Sequence, residues 1–315
     1  MIKKKQTFNE NYIENKFFFP NGRTAFFHSM KIFGLNKDKG ILLPNYIGIN
    51  QEEGSGVLDP IKKCKVGFDF YKLNKDLSIN YKDLERKIRN KNISAVLVIH
   101  YFGFCQNNMN KIVDLCKKYK KYLVEDCAHA FNSYHKNRKL GTYGDCSFYS
   151  IHKFLAIDQG GILLINNPCL ITNLNVNLKK NLKDDISKET LLLLNKSKLN
   201  KISEKRIKNF NHVFKMIKSV KGMYSFYNKL PLGIVPLNFP IIIKHKDRNS
   251  VYFKLLKHKI ETVSLYHTLV PELNPKDNKL AFELSSKILN LPIHEDLSKK
   301  DLKLMVSKLN KILSN

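Results

Sequence analysis

The segment between residues 124 and 161 holds the side chains best suited to chemistry. Glu125 and Asp126 end an apolar run, YLVED, and Lys153 closes a second run, CSFYSIHK. Both runs are typical of buried strands, and ligands bind beyond the carboxyl ends of strands in open α/β sheets. A lysine amine can attack a carbonyl carbon, and a carboxylate can hold a ring nitrogen protonated. We therefore predict that Asp126 and Lys153 are catalytic.

A pyridine cofactor, pyridoxal 5'-phosphate, requires such a pair. The cofactor withdraws electrons from a carbanion while Asp126 keeps its ring nitrogen protonated, and Lys153 would form the imine and then move a proton. Its phosphate needs donors of the kind found at a helix N-terminus. The turn NGRTA supplies Thr24 and the N–H group of Ala25, and Ser150 adds a hydroxyl.

Each of these residues also has an ordinary interpretation. An aspartate at a strand end is often a cap, a Ser-x-x-Lys pattern arises by chance, and GRTA is a common helix start. Their order along the chain, each on a suitable element, favours a single site.

The elements around these residues predict the fold class. Apolar strand-like runs such as ISAVLVI alternate with amphipathic helical segments such as NYKDLERKIRN, a pattern that indicates an α/β fold with a mostly parallel sheet. We predict a large domain over 1–220, which includes a helical region at about 173–220. A smaller α+β domain follows over 221–315, and its final helix starts at the capping sequence DLSKKDLK.

The amino-acid composition narrows the classes of function that we expect for this protein. The formal net charge is +28, but the basic residues are mostly lysine, in a sequence rich in asparagine and isoleucine. Codon bias explains that pattern better than nucleic-acid binding does, because arginine is the better base and phosphate reader. The six cysteines form no CxxC pairs, so we predict reduced thiols and no metal site. We find neither a signal peptide nor a membrane-spanning run, and we expect a cytoplasmic protein.

At these residues the chain resembles the DegT-type sugar aminotransferases, which are fold-type-I enzymes. The similar segments are NGRTAFFHSMKIFGL, LLPNY, the block from VIHYFG to EDCAHAF, the lysine segment GTYGDCSFYSIHKFLAIDQGGIL and LNLPIHEDLSKKDL. The resemblance implies a homodimer that binds pyridoxal 5'-phosphate. It also implies amino transfer, with glutamate as donor, to a nucleotide-linked keto-sugar for surface polysaccharide synthesis.

The resemblance assigns roles to individual residues. Asp126 would pair with the pyridine nitrogen, and His129 would lie near the phenolic oxygen of the cofactor. Lys153 would hold the cofactor in Schiff-base linkage, while Thr24 and Ala25 would bind the phosphate. Phe148 stands where the family often has a serine, so Ser150, or else Ser147, would take its place.

Two departures from the family pattern leave open which residue stacks on the ring and whether a neighbouring subunit contacts the cofactor. Ile47 and Gly48 stand where many members have a residue that stacks on the ring, and no Asn-Tyr-Arg stretch is visible at 170–185. Some relatives replace the lysine with histidine and are dehydratases; here His152 adjoins Lys153, which is retained. The alternatives are therefore a dehydratase of the same fold, or a basic binding protein without catalysis.

Overall fold

The computed structural model of the chain describes residues 15–172 and 186–314. A seven-stranded sheet forms its centre, and a two-stranded hairpin and a three-stranded sheet accompany it. The strands are β1 (Lys16–Phe19), β2 (Gly40–Pro44), β3 (Phe68–Tyr71), β4 (Ile93–Ile99), β5 (Tyr122–Asp126), β6 (Tyr134–His135), β7 (Arg138–Lys139), β8 (Cys146–Ser150), β9 (Gly161–Ile165), β10 (Met223–Ser225), β11 (Phe239–Ile243) and β12 (Ile288–Leu291).

The central sheet has the order β1-β9-β8-β5-β4-β2-β3. Strands β3, β2, β4, β5 and β8 pair in parallel, and β9 runs antiparallel to both of its neighbours. Strand β4 is buried along almost its whole length, as expected for a sheet covered on both faces. The predicted mostly parallel α/β architecture is confirmed.

Helices cover the central sheet and complete the C-terminal part. They are α1 (Gly22–Ile32), α2 (Leu58–Lys63), α3 (Tyr81–Ile88), α4 (Met109–Lys118), α5 (Pro168–Thr172), α6 (Lys188–Lys196), α7 (Leu199–Met216), α8 (Arg248–Lys257), α9 (Lys279–Lys287) and α10 (Lys299–Ser314). Helix α1 packs on β8 and β9, next to the predicted lysine segment. None of the helices in the described ranges has the length and apolar character that a bilayer span requires.

The helical region predicted at about 173–220 contains α6 and α7. Residues 173–185 lie outside the described residues. They include most of the segment 170–185 in which an Asn-Tyr-Arg stretch was sought. Helix α7 is bonded to the C-terminal part of the chain. Arg206 pairs with Glu295 at 2.9 Å, and the Asn209 amide donates to the carbonyl oxygen of His294 at 2.9 Å. The predicted domain boundary at 220 stays a prediction.

The C-terminal part contains an antiparallel sheet of β10, β11 and β12, with α8, α9 and α10 beside it. Its last helix begins as predicted. The Ser298 hydroxyl accepts the N–H of Asp301, whose carboxylate accepts the N–H of Ser298 in return. This reciprocal pair satisfies donors that the start of a helix leaves open.

Candidate active site

A cavity of about 550 Å³ opens at the carboxyl ends of the parallel strands. The last residues of β4, β5 and β8, which are Ile99, Asp126 and Ser150, line it together with Lys153 and the start of α1. Parallel strands end at one edge of a sheet, and this edge is the usual place for a ligand in open α/β folds. The fold thus brings Asp126, His129, Ser150 and Lys153 together around one space.

Asp126 is nearly buried at the end of β5. One carboxylate oxygen, Oδ1, accepts the N–H of Ala128 at 2.9 Å, and no other residue of the described ranges donates to this carboxylate. Burial raises its pKa, and the Ala128 hydrogen bond and the charge of Lys153 oppose that rise. A buried carboxylate with an open oxygen can hold a proton on a ligand's ring nitrogen.

Lys153 and His129 form a hydrogen bond that defines the proton positions. The distance from Lys153 Nζ to His129 Nε2 is 3.2 Å, and the backbone N–H of Phe102 donates to His129 Nδ1 at 3.3 Å. Because Nδ1 accepts, the ring proton of the neutral imidazole lies on Nε2 and is donated to Lys153. A neutral Lys153 amine can accept this proton, because its nitrogen carries a lone pair.

The electrostatics of the two groups agree with this assignment. Burial lowers the pKa of Lys153, and the negative charge of Asp126 partly opposes that fall. Burial also lowers the pKa of His129 well below its usual value, and the positive charge of Lys153 adds to the effect. A neutral amine is the form of lysine that attacks a carbonyl carbon.

The donor to His129 comes from a strained turn after β4. Phe102 has φ 57° and Gly103 has φ 94°, and a Cβ atom at Gly103 would lie 2.5 Å from the carbonyl oxygen of Val235. A left-handed conformation is rare for a bulky residue such as phenylalanine and costs about 1–3 kcal/mol. The surrounding packing therefore maintains the orientation of His129.

Ser150 lies against the start of α1. A Cβ atom at Gly22 would lie 3.5 Å from the Ser150 hydroxyl, and that hydroxyl is 3.3 Å from Nε2 of His152. Side chains alternate along β8, so Phe148 and Ser150 line the cavity while Ser147 does not. Of the two serines considered from the sequence, Ser150 is the one that reaches the cavity.

Phosphate binding by Thr24 and Ala25 stays a prediction, and neither residue lines the cavity. The N–H and hydroxyl groups of Thr24 lie 3.0 and 3.1 Å from Asn21 Oδ1, and the N–H of Ala25 donates to the carbonyl oxygen of Asn21 at 3.3 Å. The helix cap thus already occupies these donors. Gly22 and Arg23 do line the cavity, and their N–H groups meet no acceptor among the described residues.

Two further features of the cavity were missed in the sequence. Arg23 pairs with Glu53 at 3.5 Å, and both residues line the cavity. Tyr266 lines it too, with φ 60° and its ring centroid 6.0 Å from that of His129. Arg23 precedes Thr24 in the NGRTA turn, so the sequence pattern of that turn could have identified Arg23 as a site residue. Tyr266 lies far along the chain from the other site residues, and no local pattern marks it.

Buried side chains of the C-terminal part hold the segment 263–267 that carries Tyr266. The Asn290 amide donates to the carbonyl oxygens of Val263 and Leu265, and the Ser285 hydroxyl donates to that of Tyr266 at 2.7 Å. Gly48 leaves room for this segment, because a Cβ atom there would lie 3.2 Å from the Tyr266 ring. The wall that Tyr266 forms is therefore rigid.

A buried group behind the cavity, His100, Glu125 and Cys127, has metal-binding residue types. The Glu125 carboxylate accepts three backbone N–H groups at 2.6–3.0 Å, and His100 Nε2 lies 2.9 Å from it. The other ring nitrogen of His100 accepts the N–H of Gln106 at 3.2 Å. These histidine and glutamate atoms are already bonded within the protein, so the group holds the fold together.

Comparison with solved structures supports the fold class. A putative sugar aminotransferase from Streptococcus pneumoniae, Spr1654, has a PMP-form structure that superposes with a TM-score of 0.81 at 13% identity, over 95% of this chain and 86% of that one. The fold is therefore that of this class of aminotransferase, as predicted. Residues 70–190 match the model of the DegT/DnrJ/EryC1/StrS aminotransferase family, which confirms the resemblance seen in the sequence.

Two relatives from other organisms match parts of the chain. GDP-perosamine synthase of Vibrio cholerae is 27% identical over 154 residues, 48% of this chain and 40% of that protein. A UDP-4-amino-4,6-dideoxy-N-acetyl-beta-L-altrosamine transaminase of Campylobacter jejuni is 34% identical over 112 residues, 34% of this chain and 30% of that protein. The matched region thus spans less than half the length of either relative.

Proposed function

We propose that this protein is a pyridoxal-phosphate-dependent aminotransferase that transfers an amino group from glutamate to a nucleotide-linked keto-sugar. The observation that carries the proposal is that Lys153 and the Asp126 carboxylate, which has an open oxygen, line the same cavity. The names of the two relatives support a nucleotide-sugar substrate. The PLP and PMP forms in which Spr1654 was solved support the cofactor.

The groups in the cavity fit pyridoxal phosphate. The Asp126 carboxylate suits the ring nitrogen, and the Lys153 amine suits the aldehyde carbon. The open N–H groups of Gly22 and Arg23 lie at the positive end of α1 and suit the phosphate, with the Ser150 hydroxyl close to them. The position of His129 near the phenolic oxygen of the cofactor stays a prediction.

The bound cofactor supplies the electron sink for the carbanion. With the cofactor bound, the Lys153 amine would be the group that takes a proton from the α-carbon of the amino donor. His129 Nε2 lies 3.2 Å from Lys153 Nζ and holds this amine in the cavity. Asp126 keeps the ring nitrogen protonated, because the low dielectric around it strengthens an ion pair.

The remaining parts of the proposal have two sources. A homodimer and a role in surface polysaccharide synthesis come from the family resemblance. A cytoplasmic location and a division into a large domain over 1–220 and a small one over 221–315 come from the sequence pattern. The basic surface, with its net charge of +28, would attract a nucleotide diphosphate.

The test is the visible absorption spectrum of the purified protein with pyridoxal phosphate, before and after glutamate. We compare the wild type with Lys153→Ala and with Lys139→Ala, since burial lowers the pKa of Lys139 as well but Lys139 does not line the cavity. We expect a lysine-linked band that changes with glutamate in the wild type and in Lys139→Ala, and its loss in Lys153→Ala. Absence of any band in the wild type at saturating cofactor would reject the proposal.

Mass spectrometry of the products separates the proposal from the dehydratase alternative. Gain of an amine by a nucleotide-linked keto-sugar supports amino transfer, while loss of water supports dehydration. A basic binding protein would instead shift DNA in a salt-sensitive way that Lys153→Ala does not change.

A further inference from the structure

We propose that the Arg23 guanidinium binds the phosphate of the cofactor, and that Glu53 holds this guanidinium while the phosphate is absent. The inference rests on the proposed cofactor and adds a residue that the sequence had not assigned. On cofactor binding, the Arg23 guanidinium would exchange the Glu53 carboxylate for the phosphate as its partner.

The position of Arg23 suits contact with a phosphate at the start of α1. Arg23 is the second residue of this helix, and Gly22 and Arg23 line the same cavity as Lys153. The Arg23 and Glu53 side chains are 38% and 73% exposed, and their charged atoms lie 3.5 Å apart. A pair this exposed contributes little to stability, so a stronger partner for the guanidinium can replace Glu53.

The basic residues that line the cavity differ in how firmly they keep a charge. Within the described ranges these lining residues are Arg23, His129, His152 and Lys153. Burial lowers the pKa of His129, of His152 and of Lys153. Of these four residue types, arginine is the one that is always charged in proteins. A phosphate dianion at this helix end needs such a charge, and a guanidinium can donate two parallel hydrogen bonds to it.

Glu53 lies in a closed turn. The N–H groups of Asn50 and Gly54 each donate to the other's carbonyl oxygen, at 3.0 and 2.8 Å, and Gly54 has φ 74°. The backbone around Glu53 is therefore held, while its side chain is mostly exposed. Glu53 can release Arg23 by a side-chain rotation, with no movement of the loop.

The charges of the pair also reach Lys153. The pKa of Lys153 is lowered mainly by burial, and the Glu53 charge raises it while the Arg23 charge lowers it further. An Arg23 side chain engaged with phosphate therefore stays within electrostatic range of the reacting amine.

The experiment compares dissociation constants for pyridoxal phosphate and for pyridoxal, which lacks the phosphate, measured by absorbance titration. The proteins are the wild type, Arg23→Ala, Arg23→Lys and Glu53→Gln. The control is Lys31→Ala, which removes one positive charge from the last turn of the same helix. We expect Arg23→Ala to weaken pyridoxal phosphate by about tenfold to hundredfold and to leave pyridoxal within about twofold.

Arg23→Lys should recover part of the lost affinity for pyridoxal phosphate, because lysine keeps the positive charge but lacks the paired donors of the guanidinium. Glu53→Gln should bind pyridoxal phosphate about two- to fivefold more tightly, since the competing carboxylate is gone. Inorganic phosphate provides a readout without the cofactor, and it should raise the unfolding temperature of the wild type and of Lys31→Ala but not of Arg23→Ala.

Equal losses for both ligands in Arg23→Ala, or no loss in either, would overturn the inference while leaving the proposed cofactor in place. A wild type that binds neither ligand would instead overturn the proposed function. If Arg23→Ala does not fold, the ratio of the two constants in Arg23→Lys and Glu53→Gln decides, because an unchanged ratio in both contradicts the exchange.

Discussion

Two adjacent carboxylates at the end of β5, Glu125 and Asp126, have opposite environments. Glu125 points behind the cavity, where three backbone N–H groups and His100 bond it. Asp126 points into the cavity and accepts one N–H group, that of Ala128. Neighbouring residues of a strand face opposite sides of the sheet, so one step along the chain separates a structural acid from a reactive one.

Two histidines repeat this contrast. The Nδ1 atom of each accepts a backbone N–H, from Gln106 at His100 and from Phe102 at His129. The Nε2 atom of His100 then faces Glu125, while that of His129 faces the Lys153 amine. His100 thus bonds two groups that do not line the cavity, whereas His129 links a backbone N–H group to an amine that lines it.

The largest effect should follow Asp126→Asn. The amide keeps the size of the side chain but cannot hold the ring nitrogen protonated, so we expect the rate of amino transfer to fall by about 10²–10⁴-fold. Burial raises the pKa of Asp126, so the charged form is costly in the folded protein above the carboxyl's usual range near 3.8. The variant should therefore be at least as stable as the wild type at neutral pH. Single-turnover kinetics and thermal unfolding test both parts, and a fall in stability with unchanged rate would contradict the contrast.

Glu125→Gln should show the reverse behaviour. The Gln amide cannot accept all three backbone N–H groups, and we expect the free energy of unfolding to fall by about 3 kcal/mol. Folded protein at low temperature should keep the cofactor spectrum of the wild type. Urea unfolding measures the first effect, and a spectrum as altered as that of Asp126→Asn would show that Glu125 belongs to the site.

The histidines give a smaller, paired test. His129→Asn removes the donor to Lys153, so we expect cofactor attachment to slow by about tenfold with little change in stability. His100→Asn should lower the free energy of unfolding by about 1–3 kcal/mol and leave the attachment rate unchanged. Stopped-flow absorbance and urea unfolding on both variants are the measurements, and equal responses would break the comparison.

The smallest effect is on pH dependence. The pKa of Lys153 lies below its usual value of 10.5, so the rate at which this amine captures pyridoxal should rise with pH and level off below that value. Asp126→Asn should move the midpoint to lower pH, because the Asp126 charge raises this pKa. Arg23→Ala should move it to higher pH, because the Arg23 charge lowers it. Initial rates between pH 6 and about 10.5 test both signs, with Lys31→Ala as the unshifted control.

Much of the fold follows from local sequence pattern. Apolar runs such as ISAVLVI lie in β4, and the amphipathic NYKDLERKI region forms α3, because hydrophobic periodicity reflects which faces are buried. Asp126 and Lys153 were identified because their residue types and their places at strand ends are visible in the chain. Their roles, like those of His129 and Ser150, stay predictions that the geometry supports.

The tertiary structure decided which groups around them are open. Thr24 and Ala25 looked suited to a phosphate, but the Asn21 cap occupies their N–H groups and leaves those of Gly22 and Arg23 available. Tyr266 reaches His129 through a segment held by residues of β12 and α9, a contact with no local signal. A sequence specifies which side chains are present, while the free valences of each group depend on hydrogen bonds between distant parts of the chain.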